Sequence, residues 1–339
     1  MMRRRFALGH CAGALAVAVV LGFMTAPAIA YLKLGTDVGG RTQSLRWRDF
    51  PIRYYVTNAS DDQVTAQQFQ TTIARSFSTW HSVPTAQTSS TFVGFVQARP
   101  FVEDGASVLG FLSRPDQDRT LAATTFTVDV TDGRILESDI YFNTIFAWSV
   151  SETGTADRFD LESIATHEIG HMLGLSHSAL GETELIAGGR RVIAAESVMF
   201  PIAFSRGNTA DRTLKADDIA GMSDIYGTTD FQRQFGSISG RVTKNGGGVK
   251  GAHVVAFSVR SGKLVGGFTL NDNGDFVIAG LEPGPHILRA EPLDDGDLNS
   301  FFDDDFDVDV DFRVAFHDEV VAVPRGGGAR GIEIKVTPK

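Results

Sequence analysis

The sequence predicts two units in tandem, an α+β domain with three helices followed by a small all-β sandwich. Three observations carry that reading. Strand-like alternation and helix-like periodicity are interleaved from Tyr31 to about Gly227. From Ile238 onward, short β-rich runs separated by glycine turns replace any useful helical period. The 339 residues exceed one ordinary domain, and 42% hydrophobic against 21% charged side chains supplies real cores and argues against bulk disorder.

Residues 1–30 read as a signal peptide. Arg3-Arg4-Arg5 gives a basic start, Ala12 to Met24 an apolar run, and Ala28-Ile29-Ala30 a small-x-small ending, so Tyr31 is the expected mature N-terminus. The 13 apolar residues fall short of the ~20 a spanning helix needs, and Pro27 interrupts any continuation, so no membrane anchor is expected. The Arg-Arg-x-Phe start hints at twin-arginine export. Cys11 precedes the apolar run instead of following it, the wrong order for lipid attachment.

Residues 31–227 form the first domain. Pro51 to Thr57 places Ile52, Tyr54 and Val56 on one face of a strand. Ser60-Asp-Asp-Gln63 has capping-box spacing and opens a helix with the apolar stripe Ala66, Phe69, Ile73, Phe77, Trp80. Thr91 to Gln97, Ser107 to Leu112 and Leu121 to Val130 read as strands, and Asp132-Gly133 as a hairpin into Ile135 to Asn143. Helices follow from about Leu161 to Leu173 and from about Leu214 to Tyr226, the latter stopped by Gly227. Residues 228–235 form a polar linker, and residues 236–339 the sandwich. No internal repeat is present.

Composition restricts the chemistry. Lys+Arg 31 against Asp+Glu 41 gives −10, and setting aside the leader's three arginines gives 28 − 41 = −13. Such acidity excludes the basic footprint that nucleic acid or anionic lipid requires. The one cysteine, Cys11, is in the leader, so the mature chain has no disulfide, thiolate ligand or Cys nucleophile. A metal must be held by His or carboxylate.

One segment has that capacity: His167-Glu168-Ile169-Gly170-His171-Met172-Leu173-Gly174-Leu175-Ser176-His177. Histidines four apart on a helix point the same way, one turn apart. Leu161, Ala165, Ile169 and Met172 take the opposite face, towards the sheet. Gly174 lets the helix end and the chain turn, bringing His177 back as a third nitrogen ligand. Three imidazoles around Zn²⁺ leave a tetrahedral position for water, the arrangement of a catalytic zinc. Glu168, rotated about 100° from its neighbour, reaches that water as general base. The bland alternative is a buried helix carrying unrelated histidines, but chance yields these five positions in roughly one of fifty thousand such chains.

Here the chain resembles the metzincin clan of zinc endopeptidases, and within it the matrixins. The zinc motif is matched by His167, Glu168, His171, Gly174 and His177, and Ser178 is the matrixin choice after the third histidine. Ser197-Val198-Met199-Phe200-Pro201 resembles the Met-turn, which implies that Met199 floors the zinc site. Phe159-Asp160-Leu161 and Leu214-Lys-Ala-Asp-Asp-Ile219 are also matrixin-like, and the likeness covers most of Trp47 to Gly227. It implies a twisted mixed sheet and an extended protein or peptide substrate. Leu121-Ala-Ala-Thr resembles the family's substrate-lining edge strand, with backbone near Ala122 and Ala123 pairing to peptide, and Phe200 to Arg206, including Pro201, walls a pocket. Plain strand filling explains Ala122 and Ala123 equally well.

Three departures stand out. A cysteine-switch propeptide is excluded by the missing cysteine, so any latency needs another source, such as Tyr31 to Arg46. The family's structural zinc site looks lost, with Ala123 and Tyr141 at its histidine positions, which leaves one catalytic zinc; His81 reads as a helix-end residue. The stretch from His177 to Met199 is longer than usual, and Glu184 to Ile193 reads as a hairpin around Gly188-Gly189 that either shapes the cleft or projects into solvent. Calcium, common in the family, has no assignable ligands here.

The C-terminal unit resembles the carboxypeptidase-regulatory-like β-sandwich, on Ile238-Ser-Gly-Arg-Val242, Val249 to Phe257, Asn271-Asp-Asn-Gly-Asp-Phe276 and Gly280 to His286. Asp272 to Asp275 reads as a turn, and His253, His286 and His317 lack ligand spacing. Glu291 to Glu319 holds twelve acids and one base, Arg313. Its Asp303 to Asp311 alternation reads as a charged strand face, with cation binding or an acidic docking surface as the sharper alternative. The expected function is a secreted or periplasmic zinc endopeptidase in which Glu168 activates a zinc-bound water. The competing reading is a catalytically silent zinc-containing surface binding protein that acts through sandwich contacts with a surface or polymer. A retained base at Glu168 favours the enzyme.

Overall fold

The computed structural model describes residues 33–38, 41–187, 189–302 and 306–339, with two short N-terminal strands, Arg3–Arg5 and Ala16–Ala18. The rest of residues 1–30, with Cys11 and the expected cleavage point after Ala30, lies outside the described residues. Among the described residues no helix is long and apolar enough to cross a membrane, which says nothing of a β-barrel.

Five strands build the first sheet: β1 (Ile52–Thr57), β2 (Ser90–Val96), β3 (Ser107–Leu112), β4 (Thr120–Asp129) and β5 (Arg134–Asn143). Their spatial order is β4-β5-β3-β1-β2, parallel throughout except for the antiparallel β4–β5 hairpin, so the sheet is mixed. The hairpin turns at Gly133, whose φ of +72° suits glycine. The outer edge of β4 pairs with the two N-terminal strands, Arg3–Arg5 antiparallel and Ala16–Ala18 parallel.

Helix α1 (Ala66–His81) buries Phe69, Ile73, Phe77 and Trp80 on the sheet, each worth roughly 1.5–3 kcal/mol of apolar burial. Its capping box is Thr65 with Gln68, not Ser60 with Gln63. Both pairs have the required spacing, but Asp61 already accepts from the Gln63 amide in a local turn, so the helix starts at the second pair. Helix α2 (Leu161–Met172) is capped by Asp160, which accepts from the Ser163 amide at 2.9 Å. Every α2 residue except Glu162 is buried, between β4, α1 and the Met199 segment. The buried Trp80 indole donates to the Thr166 carbonyl at 2.8 Å and ties α1 to α2.

Residues 181–186 and 189–195 form an antiparallel hairpin whose Leu185 and Ile193 face solvent. Helix α3 (Ala216–Tyr226) ends at Gly227, although not by a left-handed cap: φ there is −62°, and a Cβ would collide with the Ser223 carbonyl oxygen. Within the polar stretch read as a linker lies a short helix, α4 (Thr229–Gln234), with Phe231 buried.

Beyond it, two sheets face each other. Gly236–Lys244 is flanked by Asp275–Leu281, antiparallel, and Gly328–Val336, parallel. In the second sheet His253–Ser258 lies between Leu264–Phe268 and Gly284–Glu291. Ile238, Val242, Val254, Phe276, Ile278, Leu288, Phe312 and Ile334 fill the space between, and Ala220 of α3 joins the same cluster. The acidic run is not the strand face its alternation suggested. Residues 306–314 carry no strand, and the apolar members act as anchors, with Phe301, Phe302 and Phe312 buried. Lys244 pairs with Asp309, and Lys250 stacks over the Phe306 ring.

Candidate active site

His167 and His171 project from α2, one turn apart, and the chain then reverses at Gly174. Gly174 sits at φ +97°, and a Cβ there would collide with the Leu45 carbonyl oxygen, so only glycine makes this turn without strain. The reversal returns His177, and the ligand nitrogens of the three rings lie within 4.8 Å of one another. His167 and His171 bring their Nε2 atoms to 2.9 Å.

Each Nδ1 faces a backbone carbonyl: His167 that of Val198 at 2.7 Å, His171 that of Leu175 at 2.8 Å, and His177 that of Ser300 at 2.5 Å. An Nδ1–H donated outward fixes the tautomer that leaves Nε2 as the metal-binding atom. Burial pushes His167 down to about 3 and His171 well below the usual imidazole range, so both are neutral, as ligands must be.

Glu168 is fully buried, and burial raises its carboxyl well above the ordinary value. Thr124 of β4 opposes that shift by donating its hydroxyl to Oε2 at 2.6 Å. Oε1 is buried without a protein partner. A neutral imidazole triad beside a carboxylate oxygen that lacks a donor fits a bound metal ion with a water next to it.

The support is built from carboxylates. Asp218 accepts from the Ser197 hydroxyl at 2.6 Å and from the amides of Lys215 at 2.8 Å, Val198 at 3.0 Å and Met199 at 3.3 Å. That locks the turn whose Val198 carbonyl orients His167. Met199 is buried with its sulfur against Gly170, where any Cβ would collide with it, so it packs on α2 between the two ligand turns. The last carbonyls of α2 are capped by Trp47 Nε1 on Met172 at 2.8 Å and by the Tyr226 hydroxyl on Leu173 at 2.9 Å. The matrixin family model matches residues 46–227, more than half of this chain.

The chain belongs to the matrixin family. That makes it a metallopeptidase at family level and implies zinc. Its similarity to individual members is modest. Stromelysin-1 of Mus musculus is 27% identical over 195 residues, covering 57% of this chain and 36% of that protein. Metalloendoproteinase 1 of Glycine max is 30% identical over 172 residues, 47% of this chain and 46% of the relative. Metalloendoproteinase 1-MMP of Arabidopsis thaliana is 27% identical over 194 residues, 54% and 44%. The chain thus spans less than half of the length of these relatives. A solved structure of the Bacillus anthracis TIE protein aligns with 17% identity over 31% of this chain and 17% of its own, at a TM-score of 0.19.

In this matrixin, Ala122 and Ala123 lie in β4 opposite Phe142 and Tyr141, both buried, and Ala123 also pairs with Ala18 of the N-terminal strand 16–18. Ala123 and Tyr141 are therefore direct neighbours, the pair standing where the resemblance puts structural-zinc histidines. Phe200 is buried with Val192 and Ile202 under the hairpin, and Pro201 faces Gly296 of the sandwich. His81 stacks on Phe77 at the end of α1. His253 pairs with Glu291, while His286 and His317 bond the carbonyls of Gly284 and Glu333. Among the described residues the 167/171/177 triad is the one group of metal-ligating side chains that comes together.

Several supporting residues escaped sequence reasoning. Thr124 lay inside a quoted segment, but nothing there signalled a bond to Glu168. Asp217 and Asp218 lay inside the matrixin-like Leu214-Lys-Ala-Asp-Asp-Ile219 segment, where nothing signalled a role for either carboxylate. Asp217 in fact joins the Ser178 hydroxyl (2.7 Å) to the Gly266 amide of the sandwich (2.8 Å), and burial raises it to about 6. Asp139 of β5 accepts from the amides of Phe101 (2.6 Å), Val108 (2.7 Å) and Val102 (3.2 Å), pinning the 101–108 loop, and burial raises it to about 7.

Proposed function

We propose that this matrixin is a secreted zinc-dependent endopeptidase that hydrolyses peptide bonds in protein substrates with Glu168 as its general base. The observation that carries the reading is the Glu168 carboxylate. One oxygen is held by Thr124, and the other is left without a protein partner beside three convergent imidazoles. His167, His171 and His177 would hold the ion. When bound, zinc supplies Lewis-acid polarisation of a carbonyl and acidifies water. Glu168 takes the proton from the attacking water onto Oε1 and delivers it to the leaving amine. Thr124 keeps Oε2 engaged, so one oxygen is aimed at the reaction while the other is anchored.

The substrate lies extended along the outer edge of β4, using backbone groups at Ala122 and Ala123. In the full chain that edge is taken by leader residues 3–5 and 16–18. Removal of residues 1–30 by the export machinery frees it, consistent with the reading of this segment as a signal peptide. The catalytic domain is assigned to 31–227 and the C-terminal unit, of carboxypeptidase-regulatory-like character, to 236–339. Calcium remains a family expectation without a ligand set.

The test is zinc content and casein cleavage by Tyr31–Lys339, alongside Glu168→Ala and a chelated sample. We expect one zinc per chain and cleavage that falls ~10²–10⁴-fold in Glu168→Ala while zinc is retained. Stoichiometric zinc with equal cleavage by the mutant would refute the role of Glu168. Absence of zinc would refute the peptidase reading and favour a binding protein that works through the sandwich.

A further inference from the structure

We infer that the C-terminal sandwich is part of the metal centre: the Ser300 carbonyl is the outer-shell acceptor for His177, so docking of the 294–302 loop and metal binding reinforce each other. This rests on the triad being a metal site, as proposed above. Two of the three Nδ1 acceptors, Val198 and Leu175, lie within the matrixin domain. The third, Ser300, is 123 residues from His177 and belongs to the sandwich.

The contact is one of several that grip the segment after the third ligand. Ser178 bonds Asp217, which also accepts from the sandwich amide of Gly266. Ala179 is buried in one cluster with Phe268, Leu270, Leu293, Phe301 and Phe302, all from the sandwich. A Cβ on Gly266 would touch Leu180. Thr183 donates its amide to Asp295 Oδ1 at 2.7 Å and its hydroxyl to the Asp295 carbonyl at 2.9 Å. Glu182 also pairs with Arg289 at 3.9 Å, so five of the seven residues from His177 to Thr183 contact the sandwich directly.

His177 needs this help more than its companions do. His167 and His171 stand on a buried helix, whereas His177 follows a glycine turn and lies in no regular element. Its ring is aimed by what holds Nδ1, and outer-shell acceptors of this kind are worth ~10–100-fold in metal affinity. Phe301 fixes the carbonyl just before it by packing against Phe268 and under Gly296, where a Cβ would stand only 2.9 Å from the ring. Because coupling between two equilibria is reciprocal, zinc must tighten the loop by the factor by which the loop tightens zinc.

The test uses the chain from Tyr31 to Lys339. Zinc affinity is measured by competition with a chromogenic chelator for wild type, Phe301→Ala and Asp295→Ala, with Ile278→Ala, a fully buried sandwich-core residue outside the loop, as a control for lost stability. Amide exchange at residues 297–302 is followed in wild type with and without zinc. The expected result is ~10–100-fold weaker zinc binding in Phe301→Ala, a smaller loss in Asp295→Ala, little change in Ile278→Ala, and slower exchange of 297–302 with zinc. If wild type binds one zinc but both loop variants match it within threefold, or zinc leaves the exchange of 297–302 unchanged, the inference is overturned while the metal reading stands. If Phe301→Ala does not fold, Asp295→Ala and the wild-type exchange experiment decide. Wild type that binds no zinc overturns the metal reading itself, and this inference with it.

Discussion

Replacing Thr124 by Val tests whether the base is tuned from the sheet and not only by the metal. The two side chains have the same shape, and Thr124 is fully buried, so the change opens no cavity and removes one hydroxyl. That hydroxyl donates to Glu168 Oε2 at 2.6 Å and lies 3.2 Å from the Glu168 carbonyl. A hydrogen bond to a charged group contributes about 1.5–3 kcal/mol. At about 1.4 kcal/mol per tenfold, losing it should lower kcat/KM by roughly 10–150-fold. The sign of the pH effect follows. Burial raises the Glu168 carboxyl and Thr124 lowers it, so the variant's carboxyl titrates higher still. A base acts when ionised, so the acid limb of the pH–rate profile moves to higher pH. A bound divalent ion pulls the other way in both proteins and leaves the direction of the difference intact. The assay is cleavage of a quenched fluorescent peptide across pH, normalised to zinc content. Wild-type zinc with kcat/KM within threefold and an unmoved acid limb would refute the reasoning.

Three further expectations concern stability. Arg212→Met strips the guanidinium from the Asp160 carboxylate, whose side chain is 1% exposed, and should cost about 3 kcal/mol in urea unfolding; a midpoint equal to wild type would refute this. Gly174→Ala forces a Cβ onto a left-handed residue facing the Leu45 carbonyl and should lower stability by at least ~2 kcal/mol, seen as a fall in Tm with loss of bound zinc. The Asp139 carboxyl, raised by burial to about 7, holds in the folded state a proton that the unfolded chain releases near the ordinary value of 3.8. Its stabilising share is full below about pH 4 and disappears as pH rises through 7, so the stability of wild type relative to Asp139→Asn should decline from pH 5 to 7.5. A constant difference across that range would count against the shift.

Features set by local spacing were legible in the sequence. The four-residue interval of His167 and His171, the glycine at 174 and the period-two run of β1 announce themselves because helix and strand geometry map spacing directly onto direction. The site's supports do not. Thr124 meets Glu168 across 44 residues, Asp217 meets Gly266 across 49, and Ser300 meets His177 across 123, pairings that only the assembled fold creates. Other signals were present but ambiguous. Two Ser/Thr-x-x-Gln boxes compete before α1, and a local turn at Asp61 decides between them. Gly227 has the look of a left-handed cap, yet it is glycine because the Ser223 carbonyl crowds it. Asp alternating with Phe or Val between 303 and 311 mimics a strand, although residues 306–311 carry none and Phe306, under Lys250, and the buried Phe312 hold a loop.

The sandwich closes in an unusual order. Gly328–Val336, near the end of the chain, lies parallel to Gly236–Lys244, so the sheet joins segments some ninety residues apart in the sequence, and parallel pairings at such separation form late. A chain emerging from its N-terminus lays down α2, with His167 and His171 already aligned, well before the strand that completes the sandwich exists. The Ser300 carbonyl that faces His177 follows 123 residues after it in the chain. A chain that has not yet reached residue 300 therefore lacks the carbonyl partner of His177 Nδ1, whereas the partners of His167 and His171, Val198 and Leu175, are already present.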